Sequence, residues 1–450
     1  MHDLLIHNAA TPEGVMDLAI TEGLIVETGV SLTGKAREVL DASGLCVWPG
    51  FIDAHVHFNE PGRTDWEGLA TGSRALAAGG GTVFFDMPLN SSPPTANVTA
   101  LMEKVCCAEA KSVLDFGLWG ALIPGNEDDL EPLAAAGVIG FKAFMSDSGI
   151  DEFPSADARV LRAGMKRAAA CGRPVALHAE DRAMTRRLSA DAQAAGKTSV
   201  RDYLDSRPVQ AELDAITLAL DLAGETGCAL HIVHVSSPEG LALIAAGRAA
   251  GINVTAETCP HYLLLNEHDV ERIGPLAKCA PPMRDEARRL GLWEALASGK
   301  VQTIGTDHSP APMDMKQSTD FFKIWGGIAG CQHGLLLTIA AGLLDHGLTA
   351  EKLSSLLSGN VAKRFGIDGR KGRIAAGQEA DLVLLRISRE DQETIGGLIS
   401  EADLLTRHRI SAYCGMLNRC RVERTLCRGQ TVWPLKTDSD WPHGRWVRPV

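Results

Sequence analysis

The run DAHVH, Asp53 to His57, sets two imidazoles two residues apart in a stretch of β-formers. In an extended strand that spacing puts both rings on one face, roughly 6.5 Å apart along the backbone, where they can converge on one metal ion. Asp53 shares that face. Three other β-like runs end in residues of the same kind: His178 in LHAE, His234 in VHVSS and Asp307 in GTDHSP. Chance would scatter such residues along strands and into helices. Four histidines and an aspartate suit Zn²⁺ or another borderline divalent cation. They are more ligands than one ion with an open position takes, so two ions sharing a bridge fit the set better.

The run VIGFKAFMS, Val138 to Ser146, holds one lysine among apolar residues. An unpaired buried charge is costly, so Lys142 needs an account. It can snorkel its head to a strand end, or it can be a desolvated amine with a lowered pKa. Beside two dications a neutral amine can also take up CO2 and become a carbamate, an anionic two-oxygen group suited to bridging both ions. Residue type alone leaves these readings open.

Other residues read more plainly. His231 differs in parity from His234 and is expected to point away from it, between strands and helices, as a packing or hydrogen-bonded ring. His261 and His308 lie near strand ends and are candidates for supporting the ligands from behind, a local structural role being equally open. Cys259 and Cys279 read as small buried packing residues. The glycines of AAGGGT (77–82) precede a strand rather than follow one, which predicts a helix end and a tight turn, not a phosphate loop.

Strand-end residues must be gathered by a scaffold, and the chain repeats one theme that can do it. Eight β-like runs alternate with Ala/Leu-rich helical stretches: 51–58, 81–88, 115–122, 140–145, 175–180, 230–237, 253–262 and 301–310. That count favours a (β/α)8 TIM-type barrel over a doubly wound sheet, and barrel sites lie at the C-terminal strand ends. The chain ends carry shorter β pieces broken by turns. They predict a small β-sandwich-like domain built from residues 1–48 and 371–440 beside a barrel of residues 49–370. The stretch TDSDWPHGRWVRPV at the end reads as an irregular, packing tail.

With 450 residues, 45% hydrophobic and 22% charged, the chain has material for one large barrel and an appendage. A net charge of −12 without a basic run argues against a nucleic-acid partner. The apolar run Leu335–Leu344 is too short to span a bilayer, so no membrane partner is expected. Eleven scattered cysteines and an N-terminus without a secretory pattern fit reduced thiols in a cytoplasmic enzyme.

Taken together, DAHVH, GFKAFM, LHAE, HVSS and GTDHSP resemble the cyclic-amidohydrolase branch of the amidohydrolase superfamily, over nearly the whole chain. NEPGRTDWEG, DMPLNSSPP, FKAFMSDSGIDEF, CPHY, KCAPPMR and WGGIAG narrow the resemblance to the allantoinases. It implies a binuclear site, commonly zinc, with iron, manganese or cobalt accepted by the same ligands. By motif match His55, His57 and Asp307 hold the more buried ion and His178 and His234 the second. Lys142, carboxylated by CO2, bridges them. Asp307 is the implied catalytic proton carrier, the implied substrate is allantoin, and the implied assembly is a homotetramer. Asn59 stands where dihydroorotases carry an arginine, and Asp147 where hydantoinases and dihydropyrimidinases carry a tyrosine. Both departures disfavour those substrates, leaving a hydantoinase-like enzyme as the alternative. Non-enzymatic relatives have lost metal ligands, and this chain keeps all six. Ala280 offers no side-chain hydroxyl where the branch varies between Ala and Ser. Asn90 and Gly327 are candidate substrate contacts, the latter through its backbone amide or carbonyl. Trp325 can wall the pocket or pack its loop, and Arg63 and Arg284 can be structural or substrate partners.

Overall fold

The computed structural model describes residues 1–388, 395–435 and 443–450. Positions 389–394 and 436–442 lie outside the described residues, and with them part of the expected second domain and the start of the expected tail.

The strands follow in chain order as β1 (His2–Thr11), β2 (Gly14–Thr21), β3 (Leu24–Gly29), β4 (Ala36–Asp41), β5 (Cys46–Pro49) and β6 (Phe51–Val56). Next come β7 (Gly81–Asp86), β8 (Asp115–Leu118), β9 (Gly120–Ala121), β10 (Phe141–Phe144), β11 (Val175–His178) and β12 (Leu230–Ile232). The last are β13 (Val254–Thr258), β14 (Thr303–Ile304), β15 (Leu382–Ile387), β16 (Cys420–Cys427) and β17 (Gln430–Trp433). Strands β6 to β14 pair in parallel and in chain order, with helices between most of them. Trp119 divides the third barrel strand into β8 and β9. The ring closes where His57 N–H donates to His308 O at 2.8 Å and where Ile139 N–H donates to Leu118 O at 2.9 Å. All eight expected runs contribute, and the architecture is a (β/α)8 barrel. The run 253–262 is strand only to Thr258; CPHY turns into a short helix, Pro260–Leu264, because proline suits a first helical turn and lacks a ladder donor.

Alternation sorts the barrel into two apolar layers. Phe141, Ala143, Val175, Leu177, Leu230 and Ile232 face the helices. Ile52, Val83, Phe85, Ala121, Ala176 and Phe365 fill the interior below the site. Lys142 pairs in register with Ala121 and Ala176, so it faces inward between two residues that face outward. That explains a lysine in an apolar run: both of its neighbours belong to the helix layer.

The two chain ends share one sheet, in the order β17-β16-β15-β5-β1-β2-β3 with β4 on β1. Its inner face carries Leu4, Ile6, Leu18, Ile20, Val47, Leu382 and Leu384. Only Gly50 separates β5 of this sheet from β6 of the barrel. A Cβ there would lie 2.3 Å from the Thr82 side chain, so only glycine allows the close crossing. At the same junction Lys371 Nζ, 1% exposed, lies 2.8 Å from Asp115 and 2.6 Å from Asp381, tying the barrel to the sheet. Residues 443–450 pack on the barrel, with Trp446 bridging Phe116. The glycines of AAGGGT end the helix Leu69–Ala78 and turn into β7, as expected.

Candidate active site

His55, His57, His178, His234 and Asp307 lie at or just past C-terminal strand ends and line one cavity, and Lys142 faces inward from within β10. Asp307 Oδ1 stands 3.2 Å from His55 Nε2 and 3.4 Å from His57 Nε2. These three donors lie within 4.8 Å of one another. His178 Nδ1 lies 3.1 Å from His234 Nε2, and the rings of His55 and His234 are 5.5 Å apart. Lys142 is fully buried, and among the described residues its Nζ has no hydrogen-bond partner. Burial lowers its pKa to about 8, against the opposing pull of Asp307 and Glu257. Four imidazoles, one carboxylate and an unpartnered amine form a donor set that can hold divalent cations.

Left-handed backbone aims two of these side chains. His234 (φ 40°) lies two residues and Asp307 (φ 46°) three residues past the ends of their strands, in a region costly for non-glycine residues. The turn at His234 also breaks the parity argument. His231, paired in register with Ala176, points into the barrel interior rather than toward the helices. There its Nδ1 lies 2.8 Å from Thr255 Oγ1 and its ring packs against Phe365. The expected alternation cannot run on to His234, because β12 ends at Ile232.

Buried carboxylates orient the rings from behind. Glu257 Oε1 accepts from His55 Nδ1 at 2.7 Å, and Glu180 Oε2 accepts from His178 Nε2 at 2.8 Å. A proton held at those nitrogens leaves His55 Nε2 and His178 Nδ1 as lone-pair donors facing the centre. Burial would raise the pKa of Glu257, but the His55 and His231 rings outweigh it and hold it at about 2. Arg207 donates to the same Glu180 oxygen, Oε2, from the cavity wall. Neither carboxylate stood out in the sequence; their signal was an acid inside a barrel strand (TAET, 255–258) or two residues past a ligand (LHAE). Asp53 does not join the metal-type cluster. Its carboxylate accepts from Thr306 N–H at 3.0 Å and from the Thr306 hydroxyl, which steadies the turn carrying Asp307.

The cavity above holds about 540 Å³, and Asn90, Asp147, Ala280, Trp325 and Gly327 line it. Gly327 has φ +135°, and a Cβ there would lie 2.2 Å from Ser309 O. Its N–H already donates to Lys278 O at 2.7 Å, so the expected amide contact to substrate is closed, and only the carbonyl keeps a free lone pair. Arg63 holds Asn90 O and Glu152, while Arg284 holds Ser236 and the Arg207 carbonyl, so both are structural. Asn59 is buried and left-handed, and it turns its amide to Pro310 O. His308 Nδ1 accepts from Gly330 N–H at 3.1 Å, a local role; both nitrogens of buried His261 lack hydrogen-bond partners among the described residues. A second acidic group, Asp115, Asp381 and Cys427, is no metal site, because the Lys371 ammonium already lies among its carboxylates.

The model of the Amidohydrolase family matches residues 46–432. The chain belongs to the amidohydrolase family. This amidohydrolase is 49% identical over 450 residues to an allantoinase of Rubrobacter xylanophilus, covering 99% of this chain and 98% of the relative. An allantoinase of Solibacter usitatus is 50% identical over 433 residues, covering 96% and 93%. Among solved structures, the L-hydantoinase (dihydropyrimidinase) of Arthrobacter aurescens superposes with a TM-score of 0.92 at 30% identity, over 100% of this chain and 98% of that one. The amidohydrolase is thus a cyclic amide hydrolase by kinship. Among its described residues, no helix is long and apolar enough to cross a membrane.

Proposed function

We propose that this amidohydrolase is an allantoinase, opening the hydantoin ring of allantoin to give allantoate. The observation that carries this is identity of 49–50% to allantoinases across nearly the whole chain. The hydantoinase alternative draws on the fold match. Against it, Asp147 fills the tyrosine position and is held by Arg182 and Arg186.

In this proposal His55, His57 and Asp307 would hold one divalent ion and His178 and His234 another, with carboxylated Lys142 between them. Zinc is the first choice, and iron, manganese or cobalt would suit the same donors. When bound, such a pair supplies water made nucleophilic at neutral pH and an electrophile for the ring carbonyl. Asp307 turns Oδ1 to both histidines, which leaves Oδ2 to take the proton of the attacking water and pass it to the leaving ring nitrogen. The buried floor keeps other water from the reacting atoms. A homotetramer in the cytoplasm completes the proposal, and sedimentation reads its first half.

A panel of allantoin, hydantoin, dihydrouracil and dihydroorotate tests the substrate. Allantoin is expected to give the highest kcat/KM, and neutral Asn59 should leave dihydroorotate at least about 100-fold behind, since its carboxylate finds no cation there. Faster turnover of any of the other three would overturn the choice. Glu257→Gln is expected to weaken metal retention or activity by about 10–100-fold, because the amide orients His55 without a charge. Chelator titration of the bound metal checks it.

A further inference from the structure

Two lysines hold one wall of the cavity from behind. Lys278 and Lys316 are each 4% exposed, and among the described residues their nitrogens are partnered by backbone carbonyls rather than carboxylates. Lys278 Nζ donates to Phe321 O at 2.7 Å and also to the carbonyls of Phe322 and Ile324. It sits 4.6 Å from the centre of the Tyr203 ring. Lys316 Nζ donates to the carbonyls of Trp325 and Gly327, both at 2.8 Å. The Lys278 carbonyl takes the Gly327 N–H. The segment 313–327 is thereby drawn around two buried lysine nitrogens. Burying a lysine away from any carboxylate is costly, whether as a cation or as an amine stripped of its proton, and a loop with no other duty would be held more cheaply by amide or hydroxyl donors.

This segment runs from the cavity to its mouth. Trp325 and Gly327 line the cavity, while the Lys323 side chain is 75% exposed. Trp325 packs edge-on against Trp66 at 4.9 Å, and its indole N–H is buried without a hydrogen-bond partner among the described residues. A hydantoin ring with its amide on the floor directs its substituent toward the open side, where that N–H can meet a carbonyl.

We infer that Lys278 and Lys316 are positioning residues that set the segment 313–327 as the wall for the substrate's exocyclic ureido arm. They govern KM and the choice between substituted and bare rings, not the chemical step. The inference rests on the allantoin reading above.

Lys278→Met and Lys316→Met keep the stems and remove the donors. Each is expected to raise KM for allantoin about tenfold, the scale of one lost ordered contact, with kcat within about threefold and bound metal unchanged. KM for hydantoin, which lacks the arm, should move less than about threefold. Equal rises for both rings, or a fall in kcat at constant KM, would overturn the inference. Amide hydrogen exchange on wild-type protein needs no variant. Slow exchange at Trp325 and Gly327 supports the clamp, and exchange as fast as in unprotected surface loops overturns it. Metal-loaded protein that leaves allantoin untouched would sink the allantoinase reading instead, while the exchange result still judges the clamp.

Discussion

Lys142→Ala is expected to lose the paired metal centre and to lower activity by about 10³-fold or more, a barrier increase of at least about 4 kcal/mol. The residue is fully buried, and its nitrogen has no hydrogen-bond partner among the described residues. A cation there would lie close to the His178 and His234 rings, and against the cost of burial it would gain only from Asp307, Glu257 and Cys259 nearby. Burial that favours the neutral amine also favours its reaction with CO2, and the resulting anion suits a bridge between dications. Lys142→Met keeps the bulk without the nitrogen and should fold normally, which separates loss of the bridge from loss of packing. Short carboxylic acids such as acetate or propionate should restore part of the activity to the alanine variant, because they fit the space and return two oxygens. Added bicarbonate should hasten metal reloading of the wild type and leave the methionine variant unaffected. Unchanged metal content and rate in Lys142→Ala would rule out the bridging role.

Asp307→Asn should lower kcat by about 10²–10⁴-fold, the range for losing a positioned proton carrier, with a smaller effect on bound metal. Burial alone would raise the Asp307 pKa; the surrounding His55, His57 and His234 rings outweigh it and hold the carboxylate ionised. The amide keeps an oxygen toward the histidines but cannot accept the proton. Metal analysis beside kcat separates the two contributions. A variant that loses metal and rate in the same proportion would make Asp307 a ligand only.

Much of the fold could be read in the chain because barrel strands announce themselves locally. In GFKAFM and VALHAE each alternate residue belongs to the helix layer, and the ones between face the interior. Period-two patterning therefore sets Lys142 and His178 on the inward face. The inward group at the floor was legible by residue type, since histidines and aspartates seldom cluster at strand ends without cause. His231 was misplaced for a physical reason: alternation is a property of extended backbone, and it stops at Ile232, just before the left-handed turn at His234. Gly327 was rightly placed at the cavity, yet its N–H was already taken by a lysine 49 positions earlier in the chain, at 2.7 Å.

By itself, then, the sequence determined the alternating strands and helices, the residue types at the strand ends and the family they resemble. These depend on local periodicity and side-chain chemistry, which neighbours along the chain reveal. Only the tertiary structure decided that Glu257 orients His55, that Glu180 and Arg207 stand behind His178, and that Lys278 and Lys316 hold the cavity wall. Those partners come from separate strands and loops, and a hydrogen bond of about 3 Å depends on where the packed backbone brings two side chains, which no spacing along the chain encodes.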